Sequence, residues 1–599
     1  MADTVREIER KYEADGSTEL PDLTGVAGVA ALADQGTVVL SATYYDTPDQ
    51  RLAADGITLR RRTGGGDAGW HLKLPVAPGV RDEVRMPLAE RLPRKLAALV
   101  RSRVRSAPLT PVAHLRTRRT LWVLETAGGE PLAEVAVDDV VAHRLGDGVS
   151  PYGTGEATCA ADVAYEIHGD AGDVADEDGA EEAERRPAQP DRVTTGVRWR
   201  EIEVELMANG DSGLLDAVDE IFAAAGIRPA GSASKLARAL AETTDTGPTT
   251  DAKTIKKTDG AAKKPTRTNA KTAEQQPKKP KASEQSGQPK KAKQSKKSKS
   301  APSTPRTAGD AVLAYIREQV RILVELDPAV RRDLPDSVHQ MRVATRRLRS
   351  AFRSYGTVLD RSVTDPIGDE LKWLARELGV DRDREVLAAR LRAGLADLPR
   401  ELRLGPVAAR LRLWSQRRRL GSRQTLLAVL DGARHLALLE SLHALLADPP
   451  LRPAAARPPA RPMGKAVLKD YRRLAGRVAD ALAAPAGPER DEALHSARKA
   501  AKRVRYAAEA AGPALGGPAK KFAKRMKRVQ QLLGDHQDSV LAREALRDLA
   551  VQAHGAGEGG FSFGLLYGRE EAAAAARERE LPEVWRKASR PGLRRKLGG

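Results

Sequence analysis

The sequence has very little cysteine, few aromatic residues and no long apolar run, and each scarcity excludes a class of protein. The single cysteine, Cys159, excludes an internal disulfide and a cysteine-based metal cluster. Aromatic residues are only 4% of the 599 residues, so the cores must be built from Leu, Val and Ala. No apolar run approaches the roughly 20 residues that span a bilayer, and the polar first residues do not resemble a signal peptide. We therefore expect a cytoplasmic protein with no membrane partner.

Positive charge is abundant and unevenly distributed. The formal net charge of +20 indicates an anionic partner, such as nucleic acid, an acidic membrane surface or inorganic phosphates. Residues 243–307 contain no aromatic residue and consist mainly of Lys, Pro, Ser, Thr, Gln and Ala. Such a segment cannot bury enough apolar area to offset its ordering entropy, so we predict a disordered linker.

The segments on the two sides of this linker follow different periodicities. Residues 1–242 contain short alternating runs, such as Arg200-Glu-Ile-Glu-Val-Glu-Leu206, which predict strands of a half-polar sheet. Within them, residues 147–190 are rich in Gly, Asp and Glu and indicate an acidic surface insertion. Residues 308–550 follow a helical pattern dominated by Leu, Ala and Arg. The tail, residues 551–599, has no function that the sequence assigns.

The helical half carries one segment twice. In each copy, basic side chains recur every three or four residues and form a cationic stripe along one face of a helix. Like charges at this spacing destabilise an isolated helix, so the stripe requires a polyanion as its partner. Leu378-Gly379 and Leu533-Gly534 follow the two copies at nearly equal distance, which predicts two helical bundles related by a pseudo-twofold axis with their stripes facing each other. The polyanion-binding residues, at helical spacing in each copy, are His339, Arg342, Arg346, Arg349 and Arg353 in the first, and His495, Arg498, Lys502 and Arg505 in the second.

The sheet half combines acidic and basic faces. Strand alternation places Glu7, Glu9 and Lys11 on one face, and Glu201, Glu203 and Glu205 on one face of a later strand. Carboxylates crowded on a buried face repel unless they bind a cation, and an all-oxygen ligand set selects Mg²⁺ or Mn²⁺. The bases that face them predict binding of a metal-bound chain of phosphates. They are Arg60, Arg62, Lys73, Arg116 and Arg118.

Residues 1–242 resemble the CYTH family, the triphosphate tunnel metalloenzymes. The resemblance lies in an ordered set of blocks, which include Glu7-Ile-Glu-Arg-Lys11, Leu59-Arg-Arg-Arg62 and Ser234-Lys-Leu236. It implies an eight-stranded antiparallel β-barrel with a hydrophilic tunnel. Divalent metal would be held by Glu7, Glu9, Asp138, Glu203 and Glu205. The triphosphate would be gripped by Lys11, Arg60, Arg62, Lys73, Arg118 and Lys235; the register leaves open which of Arg116, Arg118 and Arg119 faces inward.

Residues 308–550 resemble the CHAD family, with His339 and His495 at matching places in its two halves. The resemblance implies an all-α domain of duplicated four-helix bundles that binds inorganic polyphosphate. With the cytoplasmic location expected above, binding of polyphosphate would allow the protein to associate with polyphosphate granules.

Three functional hypotheses follow from these patterns. The first is a hydrolase that cleaves a linear triphosphate, with inorganic tripolyphosphate favoured over a nucleoside or thiamine triphosphate; related adenylate cyclases are an alternative. The second is a non-catalytic protein that binds or targets polyphosphate. The third, nucleic-acid binding, explains the positive charge but not the carboxylates, and is expected only nonspecifically through the Lys-rich linker.

Overall fold

The computed structural model describes residues 3–26, 28–145, 196–243, 305–416 and 419–598. The predicted acidic insertion, Cys159 and all of the predicted linker except residues 243 and 305–307 lie outside these residues. Among the described residues, no helix is both long and apolar enough to cross a membrane.

The N-terminal half is a closed antiparallel barrel, as the resemblance implied. Its strands follow the order β1-β5-β4-β3-β2-β6-β7-β8 around the ring. They are β1 (Asp3–Ala14), β2 (Ala31–Asp46), β3 (Thr58–Thr63), β4 (Gly69–Ala77), β5 (Val80–Pro87), β6 (Thr110–Glu125), β7 (Pro131–Arg144) and β8 (Val197–Leu206). The helices of this half are α1 (Arg51–Ala54), α2 (Arg94–Val104), α3 (Ser212–Ala224) and α4 (Lys235–Glu242).

The barrel has a charged interior and an apolar exterior covered by helices. Ile202 and Val204 of β8 are buried with Phe222 of α3, while Glu201, Glu203 and Glu205 alternate with them. Because strand side chains alternate between faces, the apolar set packs outward under α3 and the carboxylates turn inward. The fold therefore concentrates ionisable groups in its centre.

The described part of the C-terminal half is helical, as predicted, apart from loops and an isolated bridge between Leu359 and Leu451. Its core is dominated by Leu, Ala and Val, in keeping with the scarcity of aromatic residues. The helices are α5 (Ala308–Arg331), α6 (Ser337–Ser354), α7 (Arg361–Glu377), α8 (Gly379–Ala396), α9 (Val407–Gln416), α10 (Arg419–Asp431), α11 (Ala433–Ala447), α12 (Ala460–Ala483), α13 (Pro488–Ala510), α14 (Gly512–Leu515), α15 (Gly517–Gly555), α16 (Phe561–Ala588) and α17 (Pro591–Arg595).

The barrel and the helices contact each other directly. In α2, the Ser102 hydroxyl donates to the carbonyl oxygen of Val324 in α5 at 3.1 Å. Arg332, just after α5, forms an ion pair of 2.8 Å with Asp82 of β5. Arg105 and Glu440 of α11 form a third bridge at 3.2 Å. The two halves are therefore held together by specific polar contacts, independently of the segment that links them in sequence.

Candidate tunnel site and helical anion surface

The wall formed by β1 and β8 brings the predicted glutamates together. The register pairs Glu9 with Glu205 and Lys11 with Glu203 across the two strands. The Lys11 ammonium lies 3.0 Å from Glu9 and also contacts Glu203. Glu7 is buried two residues before Glu9, on the same face of β1. The structure thus places Glu7, Glu9, Lys11, Glu203 and Glu205 in the tunnel, as the alternation predicted.

Lys235 forms ion pairs with a second group of carboxylates. Ser234 caps the N-terminus of α4 by accepting a hydrogen bond of 3.1 Å from the amide of Ala237, which directs the next residue into the barrel. The Lys235 ammonium then lies 2.8 Å from Asp138, 2.8 Å from Glu201 and 2.6 Å from Glu203. These carboxylates carry oxygens within 4.8 Å of one another. Lys235 therefore already compensates much of this group's negative charge.

The sequence prediction for β6 needs a correction. Arg119 faces the tunnel, where it lies 2.6 Å from both Asp138 and Glu203. Arg116 and Arg118 are exposed on the outer face, and Val39, which pairs with Arg118, is 51% exposed. Because neighbouring strand residues face opposite sides, Arg118 and Arg116 cannot share the tunnel with Arg119.

The wall formed by β3, β4 and β5 supplies the remaining bases. Lys73 lies 2.7 Å from Glu7, and Arg60 lies 3.8 Å from Glu83. Glu83, which the sequence analysis missed, also accepts from His71 at 3.0 Å and contacts Arg85. The alternation of Arg81, Glu83 and Arg85 along β5 was the available signal. Arg62 is buried near the tunnel rim and contacts Asp67 there.

Two buried groups in the tunnel, one acidic and one basic, each lie near side chains of the same charge. Burial, together with repulsion from Glu7, raises the pKa of Glu205 to about 7. Burial, together with repulsion from Arg60 and Arg119, lowers the pKa of Arg62 to about 9. Burial also raises the pKa of Glu7. Glu205 therefore lies among other carboxylates, whereas Arg62, which contacts Asp67, lies near other guanidinium groups.

The donor set fits a hard divalent cation. Glu7, Glu9 and Glu205 offer carboxylate oxygens on adjacent strands, and among the described residues Glu205 forms no ion pair within 4.0 Å. A cation there would offset the burial and the repulsion from Glu7 that raise the pKa of Glu205. Oxygen-only ligands select Mg²⁺ or Mn²⁺. The oxygens of Glu7, Glu9 and Glu205 are spaced more widely than those of Asp138, Glu201 and Glu203, which lie within 4.8 Å of one another but are already neutralised in part by Lys235.

The two predicted cationic helices pack against each other in the helical half. The Tyr355 hydroxyl, just after α6, donates to the carbonyl oxygen of Ala507 in α13 at 2.6 Å, and Arg347 forms an ion pair of 3.2 Å with Glu509. Arg349 and Arg353 of α6 share a cavity of about 450 Å³ with Arg503 of α13, and its lining also includes Asp365, Asp369 and Asp470. The structure therefore joins residues of both copies in one basic surface.

Equivalent glycines lie beneath equivalent arginines of the two copies. A Cβ added at Gly379 would meet the Arg342 guanidinium at 2.9 Å, and one added at Gly534 would meet Arg498 at 3.6 Å. The paired Leu-Gly steps noted in the sequence thus have the same neighbour in both copies, which supports duplication of the unit.

The predicted histidines lie at the start of the stripe in each copy, and both side chains are half-buried. His495 contacts Gln537, and burial together with Lys499 lowers its pKa, so the ring is neutral near pH 7. Most stripe side chains are likewise half-buried, whereas Arg353 is exposed. The half-buried set is His339, Arg342, Arg346, Arg349, His495, Arg498, Lys502 and Arg505.

Comparisons with known proteins agree with both halves. Residues 5–240 match the CYTH domain and residues 314–547 match the CHAD domain. An uncharacterised protein of Mycobacterium tuberculosis (strain CDC 1551 / Oshkosh) is 36% identical over 588 residues, which cover 96% of this chain and 95% of that protein.

Two solved structures each correspond to one half of the chain. The CHAD domain from the plant Ricinus communis is 24% identical, with a TM-score of 0.39, over 48% of this chain and 94% of that one. A Hippeastrum protein, described as revealing a dominant triphosphatase activity, is 13% identical, with a TM-score of 0.19, over 40% of this chain and 96% of that one.

Proposed function

Because the chain belongs to the CYTH family through residues 5–240 and to the CHAD family through residues 314–547, we propose a function for each half. The barrel hydrolyses a linear triphosphate with the help of Mg²⁺ or Mn²⁺. The helical half binds long-chain inorganic polyphosphate. CYTH domains are generally triphosphate tunnels that cleave phosphoanhydride bonds, and the specific substrate is part of the proposal.

The observation that carries the hydrolase proposal is that the pKa of Glu205 is raised while the pKa of Arg62 is lowered, because each group is buried near charges of its own sign. A nearby cation stabilises the charged form of a carboxylate whose pKa is raised to about 7. A nearby anion stabilises the charged form of a guanidinium whose pKa is lowered to about 9. A metal-bound triphosphate supplies both charges in one ligand. Neither a free metal ion nor a free anion would relieve both groups.

The tunnel residues have distinct roles in this reaction. Glu7, Glu9 and Glu205 would hold the divalent cation, with Glu203 and Asp138 as neighbouring ligands. When bound, the cation would neutralise phosphate charge and orient the chain. Arg60, Arg62 and Lys73 bind and orient the phosphoryl oxygens and stabilise the charge that develops on them during transfer to water.

Inorganic tripolyphosphate is the favoured substrate. The inward-facing residues of β1, β3, β5 and β8 are mainly Glu, Lys and Arg. Such a lining suits a substrate that is phosphate along its whole length, whereas a nucleoside or thiazolium group would bury an organic ring against charges.

The helical half binds polyphosphate through the two cationic helices. α6 and α13 lie in contact, and Arg349 and Arg353 of α6 line one cavity with Arg503 of α13. Binding of a polyanion there releases condensed counterions, so affinity should fall steeply with salt.

Phosphate release tests the hydrolase proposal. Full-length protein with Mg²⁺ or Mn²⁺ should release phosphate from tripolyphosphate faster than from ATP or thiamine triphosphate. The Glu7→Ala/Glu9→Ala variant should lose this activity, because two of the metal-binding carboxylates are removed. If no triphosphate is hydrolysed with either metal, the barrel is not a triphosphatase.

A further inference from the structure

A third cationic stripe runs along α12. Arg461, Lys465, Lys469 and Arg472 occupy positions i, i+4, i+8 and i+11, which lie on one face of a helix. All four side chains are exposed. Within the described residues, Arg461, Lys465 and Arg472 form no ion pair with a carboxylate. The stripe therefore repels itself until an anion covers it.

The C-terminal helix α17 is fixed against this stripe. Leu597, just after α17, is fully buried in the helical core. A Cβ added at Gly464 of α12 would overlap the Leu597 carbonyl oxygen, so glycine permits this close approach. The Arg594 guanidinium lies 5.0 Å from the centre of the Tyr471 ring. These contacts hold Arg594 and Arg595 beside the α12 stripe.

Together α12 and α17 enclose a groove of about 1560 Å³. Nine Arg and Lys residues line it, and no Asp or Glu does. Arg353, Arg361 and Lys469 line both this groove and the smaller cavity beside α13. The groove thus adjoins the cavity between α6 and α13, in which Asp365, Asp369 and Asp470 lie among six Arg and Lys residues.

The geometry points to this groove as an additional binding segment for long-chain inorganic polyphosphate, with Arg594 and Arg595 contributed by the C-terminal tail. This inference rests on the function proposed for the helical half. A polyphosphate chain that covers the α6 and α13 stripes can extend beyond Arg353 into the groove, where it gains further contacts. The groove therefore favours binding of longer polyphosphate chains. The tail lies beyond residue 547, where the match to the CHAD domain ends.

The lining favours polyphosphate over nucleic acid. Single-stranded nucleic acid gains affinity by stacking its bases on exposed aromatic side chains. Tyr471 is the one aromatic residue that lines the groove, and it is buried and covered by Arg594. The groove therefore offers charge without a stacking platform, which matches a ligand made of phosphate alone.

Charge reversal in the tail tests the inference in the full-length protein. The Arg594→Glu/Arg595→Glu variant should bind long-chain polyphosphate at least about 10-fold more weakly, with a shallower dependence of log affinity on log salt because fewer counterions are released. Polyphosphate too short to reach beyond the α6 and α13 stripes should bind the variant and the wild type equally. Arg579→Glu/Arg586→Glu is the matched control, because these α16 residues are exposed, lie outside the groove and change the net charge equally.

A second variant guards against local unfolding of the tail. Arg461→Glu/Lys465→Glu alters two exposed α12 residues and should reproduce the selective loss for long chains. If both groove variants bind long chains as the control does, the groove is not a polyphosphate segment, although the α6 and α13 surface still stands. Absence of polyphosphate binding by the wild type would overturn the helical function as well. Tighter binding of single-stranded DNA than of polyphosphate at physiological salt would overturn the assigned ligand.

Discussion

The tunnel and the groove beside α12 both concentrate Lys and Arg, but they compensate this charge in different ways. In the tunnel, Lys235 contacts three carboxylates and Lys11 contacts two. In the groove, nine cations line the wall without a lining carboxylate; most of them are exposed, and Arg361 pairs with Asp365 outside the groove. A buried charge must be paired because its desolvation is costly, whereas an exposed charge is screened by water and salt. The tunnel is therefore preorganised for a small metal-bound ligand, and the groove suits a long polyanion that replaces its counterions.

The largest predicted effect separates the tunnel from the helical surface. Glu203→Gln removes the charge that contacts Lys11, Arg119 and Lys235, so those cations lose their shared partner. We expect tripolyphosphate turnover to fall by about 10³-fold, with polyphosphate affinity unchanged. Phosphate release measures the first quantity, and fluorescence anisotropy with labelled polyphosphate measures the second. Glu90→Gln, on an exposed loop, is the control; an equal loss there would show a general charge effect.

The converse change removes charge from the helical surface. Arg346→Glu/Arg498→Glu reverses the charge of one residue in each stripe and should weaken polyphosphate binding by about 10²-fold at moderate salt, because each contact contributes to counterion release. Tripolyphosphate turnover should stay within about twofold. Retention on immobilised polyphosphate across a salt series provides the measurement. A parallel fall in turnover would mean that the stripes take part in the barrel reaction.

The acidic side of the tunnel predicts a pH dependence of stability. The pKa of Glu205 is raised from 4.5 to about 7 in the folded protein, so its favourable contribution is present below pH 4.5 and is lost as pH rises through 7. With a chelator present, the wild type should lose about 3 kcal/mol relative to Glu205→Gln between pH 4 and 8. Paired melting curves of the two proteins measure this difference. Added Mg²⁺ should abolish it; a difference that Mg²⁺ leaves intact would argue against a metal at Glu205.

The smallest predicted effect compares the two copies of the helical unit. Gly379→Ala would place a methyl group 2.9 Å from the Arg342 guanidinium, whereas Gly534→Ala leaves 3.6 Å to Arg498. Since the arginine end is flexible, we expect only about a threefold loss of polyphosphate affinity for Gly379→Ala and no change for Gly534→Ala. Anisotropy titrations resolve this difference. A larger loss for Gly534→Ala would show that the second copy is the more tightly packed.

Local periodicity accounts for what the sequence predicted well. The i, i+2 spacing of Glu7, Glu9 and Lys11 determines that they share a face, and β8 follows the same rule. The helical spacing of the two cationic stripes is equally local. These features need no knowledge of which strands or helices are neighbours.

The predictions that failed depend on pairing between distant segments. In β6, arginines stand at both alternations, so only the pairing of Arg118 with Val39 and Asp139 shows that Arg119 faces inward. In β5, Asp82 and Glu83 are both acidic, but in the structure Asp82 forms an ion pair with Arg332, whereas Glu83 faces the tunnel near Arg60. Such choices are set by register rather than by local pattern.

The α12 stripe was missed for a different reason. Its first residue, Arg461, lies among Pro458, Pro459 and Pro462, residues that usually interrupt a helix, yet α12 begins at Ala460. The contribution of α17 depends on the packing of Leu597 against Gly464, which no local pattern reveals.

The decisive measurement is a side-by-side assay of tripolyphosphate turnover and polyphosphate retention in three full-length proteins: the wild type, Glu203→Gln, and Arg346→Glu/Arg498→Glu. If the chain holds two chemically distinct phosphate sites, Glu203→Gln will lose turnover alone and the double arginine variant will lose retention alone. If either variant loses both properties while remaining folded, the tunnel and the helical surface do not act as separate sites.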